Sequence, residues 1–142
     1  MGQIIVGYDG GACADAALDE AAGLAKSLGD SIVLVFGYAP GGYGGGEVPT
    51  HRAAVKELAE KVTAEGLERA RATGVEAEVE LVPKHPAHAL ADVAAEREAR
   101  MIVVGSYGET PLRGAILGST PYKLLHGAEV PVLVVPASDD AN

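Results

Sequence analysis

Short apolar runs alternate with longer segments of helical periodicity along almost the whole chain. Four of these runs are continuous and rich in β-branched residues: QIIVGY at 3–8, SIVLVFG at 31–37, RMIVVG at 100–105 and VPVLVVP at 130–136. Runs of this kind predict the continuous apolar strands of a parallel sheet. Parallel neighbours need a long crossover connection, usually a helix. The alternation therefore restricts the chain to an α/β architecture.

The segments between the strands predict four helices, at 14–29, 50–74, 85–98 and 119–127. Gly29 and Gly74 end the first two, and the third starts near Pro86, because proline is favoured in the first helical turn. In the second helix, helical spacing predicts one apolar face made of Val55, Leu58, Ala59 and Val62.

A fifth strand differs from the others because its residues alternate. In VEAEVELVP, at 75–83, apolar residues occupy every second position and Glu76, Glu78 and Glu80 lie between them. Such alternation predicts a strand with one face in water, which places it at or near a sheet edge.

These segments give the order strand, helix, strand, helix, strand, helix, strand, helix, strand. The predicted fold is α/β: a single open five-stranded parallel sheet with helices on both faces, forming one domain over residues 1–142. In an open sheet of this type, ligands bind outside the carboxyl ends of the strands, near the point where the strand order reverses. The residues that follow the strands are therefore the candidates for a binding site.

The charge of the chain argues against two classes of partner. The chain carries 20 acidic and 11 basic residues, a net charge of −9, and its lysines and arginines do not cluster. This argues against nucleic acid and against an anionic membrane surface, both of which need a concentrated positive face. Cys13 is the one cysteine, so no internal disulfide forms. His85 and His88 are close in sequence, but no third ligand accompanies them, so we expect no metal site. With no signal peptide or membrane-spanning run in evidence, we expect a cytoplasmic protein.

The segment VVGSYGETPLRGAILGSTPYK, at 103–123, is the strongest candidate for a binding loop. It contains Gly105, Gly108, Gly114 and Gly118, followed by Ser119 and Thr120 at the start of the last predicted helix. A helix start offers free N–H groups and a positive dipole, and glycines allow a ligand to approach the backbone, so the segment would suit phosphates. The alternative is that Gly105 and Gly108 only turn the chain and that Ser119 or Thr120 only caps the helix.

The spacing of the loop, G-x2-G-x9-G-[S/T], resembles the nucleotide motif of the universal stress protein family, in its ATP-binding branch. Other segments are similar to that family as well: IIVGYDGG, LVFGYAP, HPAHALADVAAEREARMIVVGSYG and VPVLVVP. The resemblance runs from about Ile4 to Pro136. It implies a Rossmann-like fold of the adenine nucleotide alpha-hydrolase-like type and a role in the stress response.

The resemblance also implies a set of nucleotide-binding residues. The phosphates would be wrapped by the glycine loop and helix start: Gly105, Ser106, Gly108, Gly118, Ser119 and Thr120. Asp9 would lie by the ribose and phosphates, with Mg²⁺ as a candidate bridge, although an Asx turn is the alternative role for this residue. Backbone at Gly37 would contact the adenine, and Gly7 would lie beneath it. Arg113 is a candidate phosphate clamp, with an exposed surface arginine as the alternative.

Three positions depart from the family pattern. Lys84 and His85 stand before Pro86, where the family usually has a glycine nearby. Gly11 replaces the usual serine after Asp-Gly, which removes one hydroxyl from the first loop. Pro121 follows Ser119 and Thr120 and removes one N–H from the helix start.

The pattern favours a nucleotide-binding regulatory protein with at most slow ATP hydrolysis, because it contains no P-loop and no evident catalytic pair. One alternative is an enzyme of the same fold that uses adenylate chemistry, which would require a lysine or cysteine in the cleft. A nucleotide-free interaction protein is another. The resemblance further implies a homodimer that pairs through the last strand, since an apolar edge strand favours association; a last strand buried within the monomer is the alternative.

Overall fold

Five strands and four helices alternate along the chain in the computed structural model, which describes residues 2–38, 49–106 and 119–136. In chain order they are β1 (Gln3–Gly7), α1 (Ala12–Leu28), β2 (Ser31–Gly37), α2 (Pro49–Arg71), β3 (Ala77–Val82), α3 (Pro86–Glu96), β4 (Met101–Gly105), α4 (Ser119–Gly127) and β5 (Val132–Val135).

All five strands form one parallel sheet in the order β3-β2-β1-β4-β5. The central strand β1 pairs with β2 on one side and β4 on the other, with Val6 opposite both Leu34 and Val103. The chain moves outward from β1 to β3 and then returns to the far side of β1, so the strand order reverses between β1 and β4. The predicted open parallel sheet is confirmed, and β3 lies at an edge as its alternating residues indicated.

Each strand divides its side chains between two helical layers because successive residues point to opposite faces of a sheet. Ile4, Val6 and Tyr8 pack into a core with α1 and α2, whereas Ile5 packs with α3 and α4. The same division holds in β4, where Val103 belongs to the first core and Ile102 and Val104 to the second. Helices therefore cover both faces of the sheet.

The predicted apolar face of α2 is wrong at Leu58, which is 58% exposed. The buried side chains of α2 include Ala59, Thr63 and Ala70. Leu58 lies one residue, about 100° of helix rotation, from the buried Ala59, and falls outside this narrow stripe.

Among the described residues, no helix has both the length and the hydropathy that a membrane span requires.

Candidate functional site

A cleft opens at the carboxyl ends of the three central strands. It encloses about 500 Å³, including its open mouth, and contains five of the residues that the sequence predicted for a site: Gly7, Asp9, Gly37, Gly105 and Thr120. They converge because parallel strands all end at the same edge of the sheet. This edge, next to the reversal between β1 and β4, is where open α/β sheets bind ligands.

The glycines at the strand ends are required by packing within the protein. A Cβ at Gly105 would lie 2.6 Å from Cys13 Cβ and 2.8 Å from the Cys13 carbonyl carbon and oxygen. A Cβ at Gly37 would lie 2.7 Å from Pro86 Cα, and one at Gly7 would lie 3.0 Å from Leu90 Cδ1. Separations under 3.0 Å force a displacement of the neighbouring group. These glycines therefore let α1 and α3 approach the strand ends closely, and the cleft lies where they meet.

Asp9 makes the turn that leads from β1 into α1. Its carboxylate oxygen Oδ1 accepts a hydrogen bond of 2.9 Å from the Gly11 N–H, and Gly10, between them, has a φ of 87°. Asp9 thus forms an Asx turn, the alternative that the sequence left open. The same residue lines the cleft.

Three helices present their amino-terminal turns to the cleft. Ala14 from α1, Pro86 from α3 and Thr120 from α4 all line it. A helix that follows a parallel strand begins at the carboxyl edge of the sheet, so its free N–H groups and positive dipole end face this region. The arrangement favours a ligand that carries negative charge, although Asp9 contributes a carboxylate of its own.

The remaining predicted residues are divided between other positions and the undescribed part of the chain. Ser106 is buried just beyond β4, where its N–H donates to the Val135 carbonyl oxygen at 3.0 Å, and Ser119 is exposed at the first position of α4. Neither is among the described residues that line the cleft. Gly108, Arg113 and Gly118 lie outside the described residues.

Ionisable groups are few around the cleft. Within the described ranges, the lining contains no lysine, arginine, histidine or cysteine, and its ionisable side chains are Asp9 and Tyr8. Burial, and then a hydrogen bond to Asp15, raise the pKa of the Tyr8 hydroxyl well above its ordinary value, so it keeps its proton. No group of three or more potential metal ligands occurs in the described segments.

Sequence reasoning missed the apolar wall of the cleft, which comprises Val35, Phe36, Pro86, Leu90 and Val104. Phe36 could have been recognised from the sequence, because it directly precedes the predicted Gly37 at the end of β2. Leu90 was harder to recognise, because it reaches the cleft only through the packing of α3 on the sheet, one helical turn beyond Pro86.

The family model described as the universal stress protein family matches residues 1–136. The chain belongs to the universal stress protein family. One family relative, YxiE of Bacillus subtilis, is 36% identical over 95 residues, which cover 62% of this chain and 63% of the relative. The chain spans less than two thirds of the length of the relatives it matches by sequence.

Solved structures of universal stress proteins share the fold. One, determined in complex with cAMP, is 25% identical with a TM-score of 0.78, over 96% of this chain and 98% of that one. Another, from Archaeoglobus fulgidus in complex with dAMP, is 23% identical with a TM-score of 0.72, over 95% of this chain and 98% of that one.

Proposed function

We propose that this universal stress protein binds an adenine nucleotide, with ATP as the expected ligand, in the cleft at the ends of β1, β2 and β4. The observation that carries the proposal is the convergence of Asp9, Gly37, Gly105 and Thr120 on one cleft at the strand-order reversal. Solved relatives in complex with cAMP and with dAMP support the ligand class.

The cleft suits such a ligand in the distribution of its polar and apolar residues. Phe36, Pro86 and Leu90 form an apolar side near the end of β2, where a flat base would be desolvated. Asp9 and Thr120 form a polar side near β1 and α4, where a ribose and phosphates would find hydrogen-bonding groups.

Each part of the ligand has candidate partners. Backbone at Gly37 would contact the adenine, Asp9 the ribose or a bridging Mg²⁺, and Thr120 with the start of α4 the phosphates. Gly108, Arg113, Gly118 and Ser119 remain predicted phosphate contacts. When bound, ATP would supply a polyphosphate whose charge the helix dipoles stabilise.

The charge of the cleft favours a second candidate, an adenine nucleotide with fewer phosphates. The described lining contains one carboxylate, that of Asp9, and no cationic side chain. A carboxylate repels additional phosphates unless a cation intervenes. ATP binding is therefore expected to depend on Mg²⁺, whereas binding of AMP or cAMP, which carry less charge, should depend on it much less.

The protein is proposed to act in regulation through nucleotide binding, with at most slow hydrolysis. An enzyme of adenylate chemistry would need a lysine or cysteine in the cleft, and the described lining has neither; the only cysteine, Cys13, packs behind Gly105. We further propose that the protein is cytoplasmic and that residues 1–142 form a single domain.

A homodimer through β5 is also proposed, because the two edges of the sheet differ. The β3 edge carries Glu78 and Glu80, both paired with Arg97, and charged side chains protect an edge from association. The four residues of β5 are all apolar, and its Leu133 is 37% exposed. An apolar edge of this kind favours pairing with a second strand.

The proposal is tested by purifying the protein without added nucleotide, denaturing it and identifying the released small molecules by mass spectrometry. Calorimetric titrations with ATP, AMP and cAMP, each with and without Mg²⁺, then measure affinity. Asp9→Asn keeps an oxygen for the Gly11 N–H and should weaken Mg²⁺-ATP binding, as should Thr120→Ala.

Matched controls are Asp92→Asn, in an exposed ion pair with Lys84, and Ser27→Ala, at the far end of α1. Both should bind as the wild type does. If the wild type releases no nucleotide and binds none in titrations, the proposed function is wrong and a nucleotide-free interaction protein becomes the better account.

A further inference from the structure

Tyr8 lines the cleft between Gly7 and Asp9, but its ring packs into the core with α1 and α2, and the residue is only 6% exposed. Its N–H donates to the Val35 carbonyl oxygen at 3.1 Å, which continues the pairing of β1 with β2 past the last residue of the strand. Both the backbone and the side chain of Tyr8 are therefore held in place at the carboxyl end of β1, beside the cleft.

The ring of Tyr8 sits in a notch on α2 that Gly66 creates. A Cβ at Gly66 would lie 2.7 Å from Tyr8 Cε2, 2.9 Å from Cδ2 and 3.0 Å from Cζ. Glycine within a helix costs about 1 kcal/mol relative to alanine. The ring occupies the space that this glycine leaves, so a side chain at position 66 would displace the ring or α2.

The hydroxyl of Tyr8 is held by α1. It donates to Asp15 Oδ1 at 2.6 Å. The same carboxylate lies 3.9 Å from Arg69 Nε of α2, and Arg69 in turn makes two hydrogen bonds of 2.8 Å to Asp19 of α1. Tyr8 therefore joins β1, α1 and α2 in one hydrogen-bonded and packed group.

A second contact joins α2 to the turn that contains Asp9, and it lies one helical turn from Gly66. A Cβ at Gly10 would lie 3.0 Å from Val62 Cγ1, so Val62 and Gly66 back the loop at two points. Tyr8 and Gly10, the two neighbours of Asp9, therefore both rest on α2.

We propose, building on the proposed nucleotide site, that Tyr8 is a positioning residue for the bound nucleotide. The packing of its ring against Gly66, together with its hydrogen bond to Asp15, sets the position of the turn at residues 9–11. Nucleotide affinity then depends on how α2 packs behind the cleft, although no side chain of α2 lines the cleft within the described residues. Changes in α2 that shift Tyr8 are expected to change affinity without touching the ligand.

The test compares two glycine-to-alanine variants within helices. Gly66→Ala pushes on the Tyr8 ring, whereas Gly23→Ala in α1 meets no atom within 4 Å. We expect Gly66→Ala to raise the Kd for Mg²⁺-ATP about tenfold, equivalent to roughly 1.4 kcal/mol. Gly23→Ala should leave the Kd unchanged. All measurements are made at a temperature where circular dichroism shows each variant fully folded, so that lost stability does not enter the Kd.

A double-mutant cycle separates positioning from a general effect on the helix. In a Tyr8→Leu background the shorter side chain leaves the notch open, so adding Gly66→Ala should change the Kd little. An equal change in both backgrounds would overturn the inference, as would an unchanged Kd in Gly66→Ala.

If Gly66→Ala does not fold, Tyr8→Phe decides the question. This variant keeps the ring and removes the hydroxyl, and we expect about a threefold rise in the Kd from the looser loop. Tyr122→Phe, which removes an exposed hydroxyl on α4, is the control. An unchanged Kd in Tyr8→Phe would then contradict the inference. Wild-type protein that binds no adenine nucleotide refutes the proposed function and the inference together, whereas normal wild-type binding with unaffected variants refutes the inference alone.

Discussion

Replacing Gly105 with alanine tests whether this glycine is needed for packing within the protein. The new methyl group would lie 2.6 Å from Cys13 Cβ and 2.8 Å from two atoms of the Cys13 backbone. A side chain can rotate away from such a contact, but the Cys13 carbonyl belongs to the first turn of α1. Relief would therefore require α1 to move away from β4.

The expected cost follows from two opposing effects. Inserting a methyl group into a packed site costs about 1–3 kcal/mol. Exchanging glycine for alanine also restricts the unfolded chain, which stabilises the protein by about 0.4–1 kcal/mol where the backbone permits alanine. We therefore expect Gly105→Ala to lower the free energy of unfolding by about 1–2 kcal/mol. At a urea dependence near 2 kcal/mol per molar, this lowers the unfolding midpoint by roughly 0.5–1 M.

Urea unfolding followed by far-ultraviolet circular dichroism provides the assay, because the chain has no tryptophan for fluorescence. Gly127→Ala is the matched control, since a Cβ there meets no atom within 4 Å. It should be as stable as the wild type or slightly more stable. Equal midpoints for Gly105→Ala and Gly127→Ala would refute the packing argument and leave ligand approach as the reason for glycine at position 105.

Three further predictions concern stability and assembly. Glu98→Gly should raise the free energy of unfolding by up to about 1 kcal/mol, as measured by urea unfolding, because Glu98 follows α3 with a φ of 50°, where glycine is favoured; a lower midpoint would contradict this. The hydrogen bond from Arg100, and then that from the Gly2 N–H, outweigh burial and hold the pKa of Asp30 below its ordinary value of 3.8. The stability that this carboxylate contributes is complete above pH 3.8 and is lost as the pH falls through the lower pKa of the folded state. The loss of unfolding free energy in Asp30→Asn, measured by urea unfolding, should therefore be largest near neutral pH and smaller below pH 3.8. A loss that does not change with pH would refute this role of Asp30. Leu133→Lys should convert the proposed dimer to monomer in sedimentation experiments, and wild-type protein that sediments as a monomer would show that no such dimer forms.

The fold followed from the sequence because each signal was local and strong. The apolar runs of β1, β2 and β4 are buried on both faces, and the alternating glutamates of β3 marked an edge strand. The orientation of α2 did not follow in the same way. Leu58 fits an apolar face by spacing, but the helix turns Gly66 toward Tyr8, and a glycine contributes no apolar signal from which that face could be recognised.

The candidate site was predictable in place but not in its packing. Asp9, Gly37 and Gly105 follow strands, and all strands of a parallel sheet end at one edge, so their convergence could be expected. The neighbours that demand glycine, Cys13 and Pro86, come from helix starts whose approach to the sheet depends on the three-dimensional fold. Sequence spacing does not encode those distances, which is why ligand approach and chain turning had both remained open as explanations.

The central claim, that the cleft binds an adenine nucleotide, is tested most directly by titrating Mg²⁺-ATP into isotope-labelled protein and following its backbone amides by nuclear magnetic resonance. Glycine amides are suitable reporters because they resonate apart from most others and occur both at the cleft and far from it. Binding in the cleft should shift the amide resonances of Gly7, Gly37 and Gly105, and those of Gly23, Gly29 and Gly74 should change little. Shifts confined to the second group, or none at saturating nucleotide, would contradict it.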